Sequence, residues 1–111
     1  MIIAQLRPKN TKVNILHRRL NEAEIIDSIY ICNTSGGTIR FSVYMDKAGR
    51  RFNKSTALIY NYELEKFDTD LLPLSVFGDS FSGMEAIAVR TSIAKAVTFT
   101  LMGRKHRENI S

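Results

Sequence analysis

Several short segments of this chain alternate apolar and polar residues with a period of two, which is typical of β-strands. The clearest is 38–45, where every second residue from Ile39 to Met45 is apolar. The segments 86–91 and 97–101 have the same pattern. A period of two places successive side chains on opposite faces of a strand, whereas a helix would scatter the same residues around its axis. Three strands with one apolar face each are therefore predicted.

Two further segments are rich in apolar residues but alternate less cleanly. In 24–33, one face carries Ile25, Ile29 and Ile31, with Asp27 interrupting it. The other face of 24–33 carries Ile26, Tyr30 and Cys32 and is also largely apolar. We therefore expect a strand that is covered on both sides. In 57–64, the even positions are expected to share one face, namely Leu58, Tyr60, Tyr62 and Leu64.

Shorter segments complete the set of candidate strands. These are 2–6, 13–16 and 71–77, the last of which contains Pro73 and is expected at an edge or a bend. One helical alternative stays open over 13–23, because its apolar residues also fit helical spacing.

The turn residues between these segments agree with an all-β chain. The residues 33–37 contain Gly36 and Gly37 and predict a tight hairpin with positive φ angles. The residues 46–49 predict a type I turn closed by Gly49. We therefore expect a single antiparallel β-sandwich, jelly-roll or Ig-like, with about seven or eight strands and extended terminal arms.

The predicted domain organisation has three parts. Residues 1–12 are expected to form an N-terminal arm or an edge strand, residues 13–103 the sandwich, and residues 104–111 a basic C-terminal arm. A length of 111 residues is the usual size of one domain. No signal peptide or apolar run long enough to span a membrane is visible in the sequence.

Composition supports the strands and limits the chemistry. The chain has 44% hydrophobic and 24% charged residues, which is ordinary for a globular protein. Cys32 is the one cysteine, so an internal disulfide is excluded, and we expect it to be a buried small hydrophobic residue. His17 and His106 lack partners at metal-ligand spacing and are expected at the surface.

No motif for catalysis is visible in the sequence. The acidic stretch 63–70 lacks the glycine and spacing of a calcium loop and is interpreted as a strand end or loop. Three Asn-X-Ser triplets, at 33–35, 53–55 and 109–111, are interpreted as coincidental, because no secretion signal precedes them. We predict a protein that is not an enzyme, with no catalytic residues, cofactor, metal or small-molecule substrate.

The charge pattern is more informative. The net charge is +5, and the basic residues cluster around 18–19, 50–54 and 104–107. Such clusters fit either phosphates or an acidic protein surface. If Tyr30, Tyr44 and Tyr60 line an exposed groove, they are suited to stack on bases. A small nucleic-acid-binding β-barrel is therefore one hypothesis.

The central part of the chain resembles a known class of protein. An Ile-rich strand ends in the turn Asn33-Thr34-Ser35 and is followed by the alternating strand 38–45. An apolar strand near 57–62, a Gly-led strand over 83–91 and a last strand over 97–103 follow in order. Over residues 13–104, this order is similar to that of the small β-sandwich proteins encoded among the structural genes of tailed bacteriophages.

The resemblance implies a virion component that is made in the host cytoplasm and acts by binding. Such domains decorate capsids or build tail, neck and baseplate parts, often as homo-oligomers that also bind other virion proteins. It implies that 1–9 and 104–111 reach across subunit boundaries. The interface charges expected to face an acidic partner are Arg18, Arg19, Arg50, Arg51, Arg104, Lys105 and Arg107. A sugar-binding sandwich is disfavoured, because the chain has no Trp.

Overall fold

The computed structural model describes residues 1–18, 24–74 and 86–105. These residues form eight strands in two antiparallel sheets, together with one short 3-10 helix, Lys54–Thr56. The prediction of an all-β chain with seven or eight strands is confirmed. The strands are β1 Ile2–Leu6, β2 Asn14–Arg18, β3 Glu24–Asn33, β4 Ile39–Asp46, β5 Ala57–Leu64, β6 Thr69–Pro73, β7 Ala86–Thr91 and β8 Val97–Lys105.

Successive strands alternate between the two sheets, except that β4 and β5 are both in sheet B. Sheet A has the order β1-β8-β3-β6, and sheet B has the order β2-β7-β4-β5. The pairs are therefore first with last, second with seventh, third with sixth and fourth with fifth. This is the pairing of one long antiparallel hairpin, with the β4–β5 connection at its tip, that folds back over itself. The result is a β-sandwich-like arrangement of two sheets.

The core lies between the two sheets. On β4, Ile39, Phe41, Val43 and Met45 are buried, as the alternation predicts. The Phe41 ring meets the Phe99 ring of sheet A edge to face, with centroids 6.2 Å apart. The remaining buried members of the cluster come from both sheets: Leu16, Ile26, Ile29, Ile31, Leu64, Leu74, Ile87, Val89, Ala96, Val97 and Leu101. Burial of this apolar surface is the main stabilising contribution to the fold.

β-Bulges in β3 and β5 change the faces that strict alternation predicts. The pairing of β3 with β8 shifts between Ile26 and Ser28, so that Asp27 is an extra residue. Ile26 therefore joins the core with Ile29, and its predicted place on the opposite face is wrong. That opposite face is not fully covered either, because Tyr30 is exposed.

β5 shifts its register with β4 twice, once opposite Ser42 and once between the partners of Val43 and Tyr44. Phe41 pairs with Tyr62, and Val43 pairs with Ile59. Two residues of β5, Tyr60 and Asn61, therefore lie opposite the single residue Ser42 of β4. Asn61 has a φ of 49°, a left-handed conformation that Asn tolerates better than most residues. The predicted common face of Tyr60 and Tyr62 is therefore wrong.

The residues 33–37 do not form the predicted hairpin. They carry the chain from β3 in sheet A to β4 in sheet B, and these two strands are not paired. Gly36 and Gly37 do not have left-handed φ angles. The predicted turn at 46–49 is present, since the Gly49 N–H donates to the Asp46 carbonyl at 3.0 Å and Gly49 has a φ of 72°.

The ends of the other candidates differ in detail. The segment Asn14–Arg18 is a strand, so the helical alternative is wrong there, and 19–23 lie outside the described residues. β6 occupies Thr69–Pro73 rather than 71–77, of which 75–77 also lie outside the described residues. β1 is the edge strand of sheet A. β8 continues through Arg104 and Lys105, and 106–111, including His106, are not described.

Candidate functional site

Three of the predicted interface residues come together at the turn after β4. Arg18, at the end of β2, donates from Nη1 to the Gly49 carbonyl at 3.2 Å. The backbone N–H groups of Arg50 and Arg51 donate to one carboxylate oxygen of Asp46, at 2.7 and 2.8 Å. These two donors, Arg51 first, hold the pKa of Asp46 below its ordinary value, because they favour the charged carboxylate.

The remaining predicted basic residues lie elsewhere. Arg104 is on β8 of sheet A, with Nη1 3.5 Å from Asp27 Oδ1 in an exposed ion pair. An exposed pair of this kind contributes about 0–1 kcal/mol to stability. Lys105 ends β8, and Arg19 and Arg107 lie outside the described residues. Of the described members, Arg18, Arg50 and Arg51 therefore belong to sheet B and the turn after β4, and Arg104 and Lys105 belong to sheet A.

Two other residues singled out from the sequence are neither fully buried nor fully exposed. Cys32 is half-buried on the outer face of sheet A, where it pairs with Thr98 and Thr69. Its predicted full burial is wrong. His17 is half-buried in β2.

A groove of about 630 Å³ lies on the outer face of sheet B. Its floor is aromatic: Tyr44 and Tyr60 meet edge to face, with ring centroids 6.5 Å apart. Its lining residues include two cations and no carboxylate, and we call it the basic groove: Val13, Tyr44, Phe52, Asn53, Lys54, Ser55, Tyr60 and Arg90.

The cations of the basic groove are held by contacts within the chain. Lys54 Nζ lies 5.7 Å from the centre of the Tyr60 ring, within the range of a cation–π contact. The Arg90 Nε–H donates to the Thr11 carbonyl at 3.1 Å. The Asn53 side chain caps the 3-10 helix that carries Lys54 by accepting from the Ser55 N–H at 2.9 Å. Tyr60 remains 41% exposed, so the groove offers both an accessible ring and positive charge.

At the end of sheet B reached by β5, the chain presents an acidic loop with an exposed aromatic tip. Phe67 is 68% exposed and has a φ of 55°. We call Glu65–Asp68 the acidic knob. Residues 63–70 contain four carboxylates, at positions 63, 65, 68 and 70, and one cation, Lys66, which gives −4 + 1 = −3 in a chain of net charge +5.

Backbone hydrogen bonds fix the acidic knob. The Phe67 N–H donates to the Ser35 carbonyl at 3.3 Å, and the Asp68 N–H donates to the Glu65 carbonyl at 3.2 Å. Phe67 Cζ lies 3.8 Å from the position that a Cβ on Gly36 would occupy, so the ring rests against this glycine. The tip is therefore a built feature of the fold, although its side chain is exposed.

Asn33 connects the acidic knob to the rest of the molecule. Its side chain is 0% exposed. Its Nδ2 group donates to three carbonyls, those of Gly37, Leu64 and Glu65, at 2.8, 3.1 and 2.9 Å. Its Oδ1 accepts from the N–H and hydroxyl of Ser35. The Asn-Thr-Ser turn thus ties the β3–β4 connection to the β5–β6 loop.

The outer face of sheet A differs from that of sheet B. Cross-strand partners share a face, and the partners of Tyr30 on this side are Thr100 and Leu71. Tyr30 and Leu71 are both nearly half exposed. The exposed ion pair of Arg104 with Asp27 lies toward one end of this face. The other described side chains of the face are uncharged: Gln5, Ser28, Tyr30, Cys32, Thr69, Leu71, Pro73, Thr98, Thr100 and Met102.

The described residues contain neither a cluster suited to a metal ion nor a helix suited to span a membrane. Within residues 1–18, 24–74 and 86–105, no group of three or more His, Cys, Asp or Glu residues is placed to hold a metal ion. The same residues contain no helix long and apolar enough to cross a membrane. No protein-family model, curated protein or solved structure matches the chain.

The sequence did not predict the two most distinctive surfaces. The basic groove joins Val13, Tyr60 and Arg90 from three separated segments, and only the sheet order brings them together. The acidic stretch was visible, and Phe67 at its centre was the available signal for the acidic knob.

Proposed function

We propose that this protein is a non-enzymatic structural component of a bacteriophage virion, built as a jelly roll. The observation that carries the proposal is the strand order, 1-8-3-6 in one sheet and 2-7-4-5 in the other. Eight strands in two packed sheets with long-range pairing are typical of jelly rolls, and virus capsid domains are among the proteins that use them. Since fold alone does not fix function, the surfaces carry the rest of the argument.

The surfaces are suited to repeated contacts between subunits. A subunit that assembles many times needs patches of complementary character. This chain has a largely uncharged outer face on sheet A, the basic groove on sheet B and the acidic knob at one end. We propose that it acts as a capsid decoration protein or as a tail, neck or baseplate part, in a homo-oligomer that also contacts other virion proteins. The basic turn with Arg18, Arg50 and Arg51 is proposed to face an acidic partner.

One observation favours a second function. A nucleic-acid-binding protein needs exposed aromatic rings beside basic residues. Tyr60 lies beside Lys54 and shares a groove with Arg90. Binding of single-stranded nucleic acid by stacking on this ring is therefore the alternative.

Light scattering on the gel-filtration peak distinguishes the two functions. The purified protein is run alone and with a short single-stranded oligonucleotide, at low and at high salt. We expect a homo-oligomer whose mass does not change when the oligonucleotide is added. A monomer that co-elutes with the oligonucleotide at low salt and releases it at high salt would favour the alternative, because phosphate contacts weaken steeply with salt.

A further inference from the structure

The acidic knob and the basic groove are complementary in charge and in character. The acidic knob presents one exposed aromatic ring, that of Phe67, which follows Lys66 and lies between Glu65 and Asp68 in the sequence. Its two carboxylates and one cation give −2 + 1 = −1, and Glu63 and Asp70 flank it with two further negative charges. The basic groove presents an aromatic floor with cations at its rim, Lys54 and Arg90. Its volume of about 630 Å³ lies within the range of about 300–1,000 Å³ typical of binding pockets. One surface is a protrusion and the other is a concavity.

The two surfaces of one molecule do not meet. Tyr60, on the floor of the basic groove, lies four residues before the end of β5, which is roughly 13 Å of strand. The acidic knob follows that end and is held there by the contacts of Phe67 with Ser35 and Gly36. A knob in this position points to the groove of another molecule.

We propose that the acidic knob of one copy of this chain inserts Phe67 into the basic groove of a second copy. In this contact, Glu65 and Asp68 face Lys54 and Arg90, while the Phe67 ring packs against Tyr60 and Val13. The proposal rests on the virion function proposed above and names the contact by which the subunits join. Because the two patches differ, the contact is heterologous, and repetition gives a closed ring or an open filament.

The character of the two patches explains why a second copy is favoured over nucleic acid. A nucleic acid would be attracted by the cations but would leave the exposed Phe67 without a role. Aromatic side chains are enriched at protein–protein contacts relative to the rest of the surface. The acidic residues at the loop would also repel a phosphate backbone running across the end of the sandwich.

A complementation experiment tests the contact. Phe67→Asn removes the knob's ring and keeps a residue that tolerates the left-handed φ. Lys54→Glu reverses the charge at the groove. Ile93→Asn and Lys9→Glu are matched controls, since they make the same kinds of change at exposed positions outside both surfaces. Circular-dichroism melting checks that each variant is folded.

We expect each test variant alone to be shifted to monomer at low salt, with a self-association constant weakened about tenfold or more. Mixed together, they should form a one-to-one dimer with twice the 12.6-kDa protomer mass, because the intact knob of one fits the intact groove of the other. That dimer should weaken at high salt. The two controls should associate as the natural protein does.

Several results would overturn the contact. These are a natural protein that is monomeric at low salt, a Phe67→Asn variant that associates normally, or a mixture that stays monomeric. Binding of a single-stranded oligonucleotide to Phe67→Asn but not to Lys54→Glu would assign the groove to nucleic acid instead. If Phe67→Asn does not fold, Glu65→Lys takes its place. Glu65→Lys and Lys54→Glu should each associate weakly alone and should associate when they are mixed, and a mixture that stays monomeric would overturn the contact.

These failures are distinguishable from failure of the virion function. If both test variants still form the same oligomer as the natural protein, subunits join by another surface and the structural role stands. If the natural protein is a monomer that binds nucleic acid, the structural role itself is contradicted.

Discussion

Replacement of Asn33 by Asp should destabilise the protein strongly, and the loss should depend on pH. The substitution keeps the shape of the side chain but replaces three N–H donor contacts by a carboxylate oxygen. That oxygen would face the carbonyls of Gly37, Leu64 and Glu65 at about the 2.8, 3.1 and 2.9 Å that the amide now spans. The side chain at position 33 is fully buried, so water could not solvate the new charge.

The magnitude follows from the lost contacts. Leaving a buried acceptor without its donor costs about 1–3 kcal/mol, and an uncompensated buried charge costs about 3–5 kcal/mol. We expect a loss of about 3–5 kcal/mol at neutral pH, a large part of the ordinary 5–15 kcal/mol stability of a domain. Burial and the facing carbonyls would raise the pKa of the new carboxyl in the folded state. The variant should therefore be most stable, relative to the natural protein, below the unfolded pKa of about 3.9, and lose that stability as pH rises through the folded value.

The chain provides a matched control in Asn53. Its side chain also accepts from the Ser residue two positions later, but it is exposed and donates no hydrogen bond to a buried carbonyl. Asp is as good as Asn at a helix N-terminus, so Asn53→Asp should change stability by less than about 0.5 kcal/mol.

Urea unfolding followed by circular dichroism, at neutral and at acid pH, measures both variants. The reasoning is refuted if Asn33→Asp is as stable as the natural protein at neutral pH. It is also refuted if the loss is the same at both pH values, because the penalty is assigned to the charged form.

Three further predictions test the core, a bulge and a turn. Leu101→Ala removes a fully buried side chain and should lower the free energy of unfolding by about 2–5 kcal/mol. Leu71→Ala, on the outer face of sheet A, should lower it by less than about 1 kcal/mol, and equal losses in urea unfolding would contradict the assigned faces. Asn61→Val forces a β-branched residue to a φ of 49° and should lower the free energy of unfolding by about 1–2 kcal/mol, while Asn61→Gly should leave it unchanged. Thermal melts measure both variants, and a Val variant as stable as the natural protein would argue against this bulge. Asp46→Ala should speed hydrogen exchange at the backbone amides of Arg50 and Arg51, which donate to the Asp46 carboxylate. In the natural protein, the protection of these amides should be full above the ordinary carboxyl pKa and lost as pH falls through the lowered pKa of Asp46. Unchanged exchange in the variant would mean that these hydrogen bonds do not hold the turn.

The strands could be predicted from the sequence because their period is local. The bounds of β3, β5 and β7 follow from apolar segments that begin and end at recognisable turns. Gly49 was identifiable for the same reason, since a type I turn closed by a left-handed glycine has a short sequence signature.

Faces and connections were less accessible, because they depend on partners far away in the chain. Asp27 looked like an interruption of an apolar face, but only the register with β8 shows that it is an extra residue that turns Ile26 inward. Gly36 and Gly37 resemble hairpin residues. Because β3 pairs with β6 and β8, it has no free edge for β4, and β4 joins the other sheet. Gly36 and Gly37 therefore lie in a connection between the two sheets instead of a hairpin turn.

The candidate site was accessible only in part for the same reason. The basic clusters near 18 and 50 were visible, and the structure brings Arg18 to the turn before Arg50. The basic groove was not predictable, because Lys54, Tyr60 and Arg90 meet only across strands.

The proposal that this protein belongs to a virus particle can be tested directly on the particle. Particles released from the strain that carries the gene are labelled with an antibody against the purified protein and viewed by electron microscopy. We expect label at regular, repeated positions on the capsid or the tail. Unlabelled particles, with the protein recovered only in the particle-free fraction of the lysate, would contradict it.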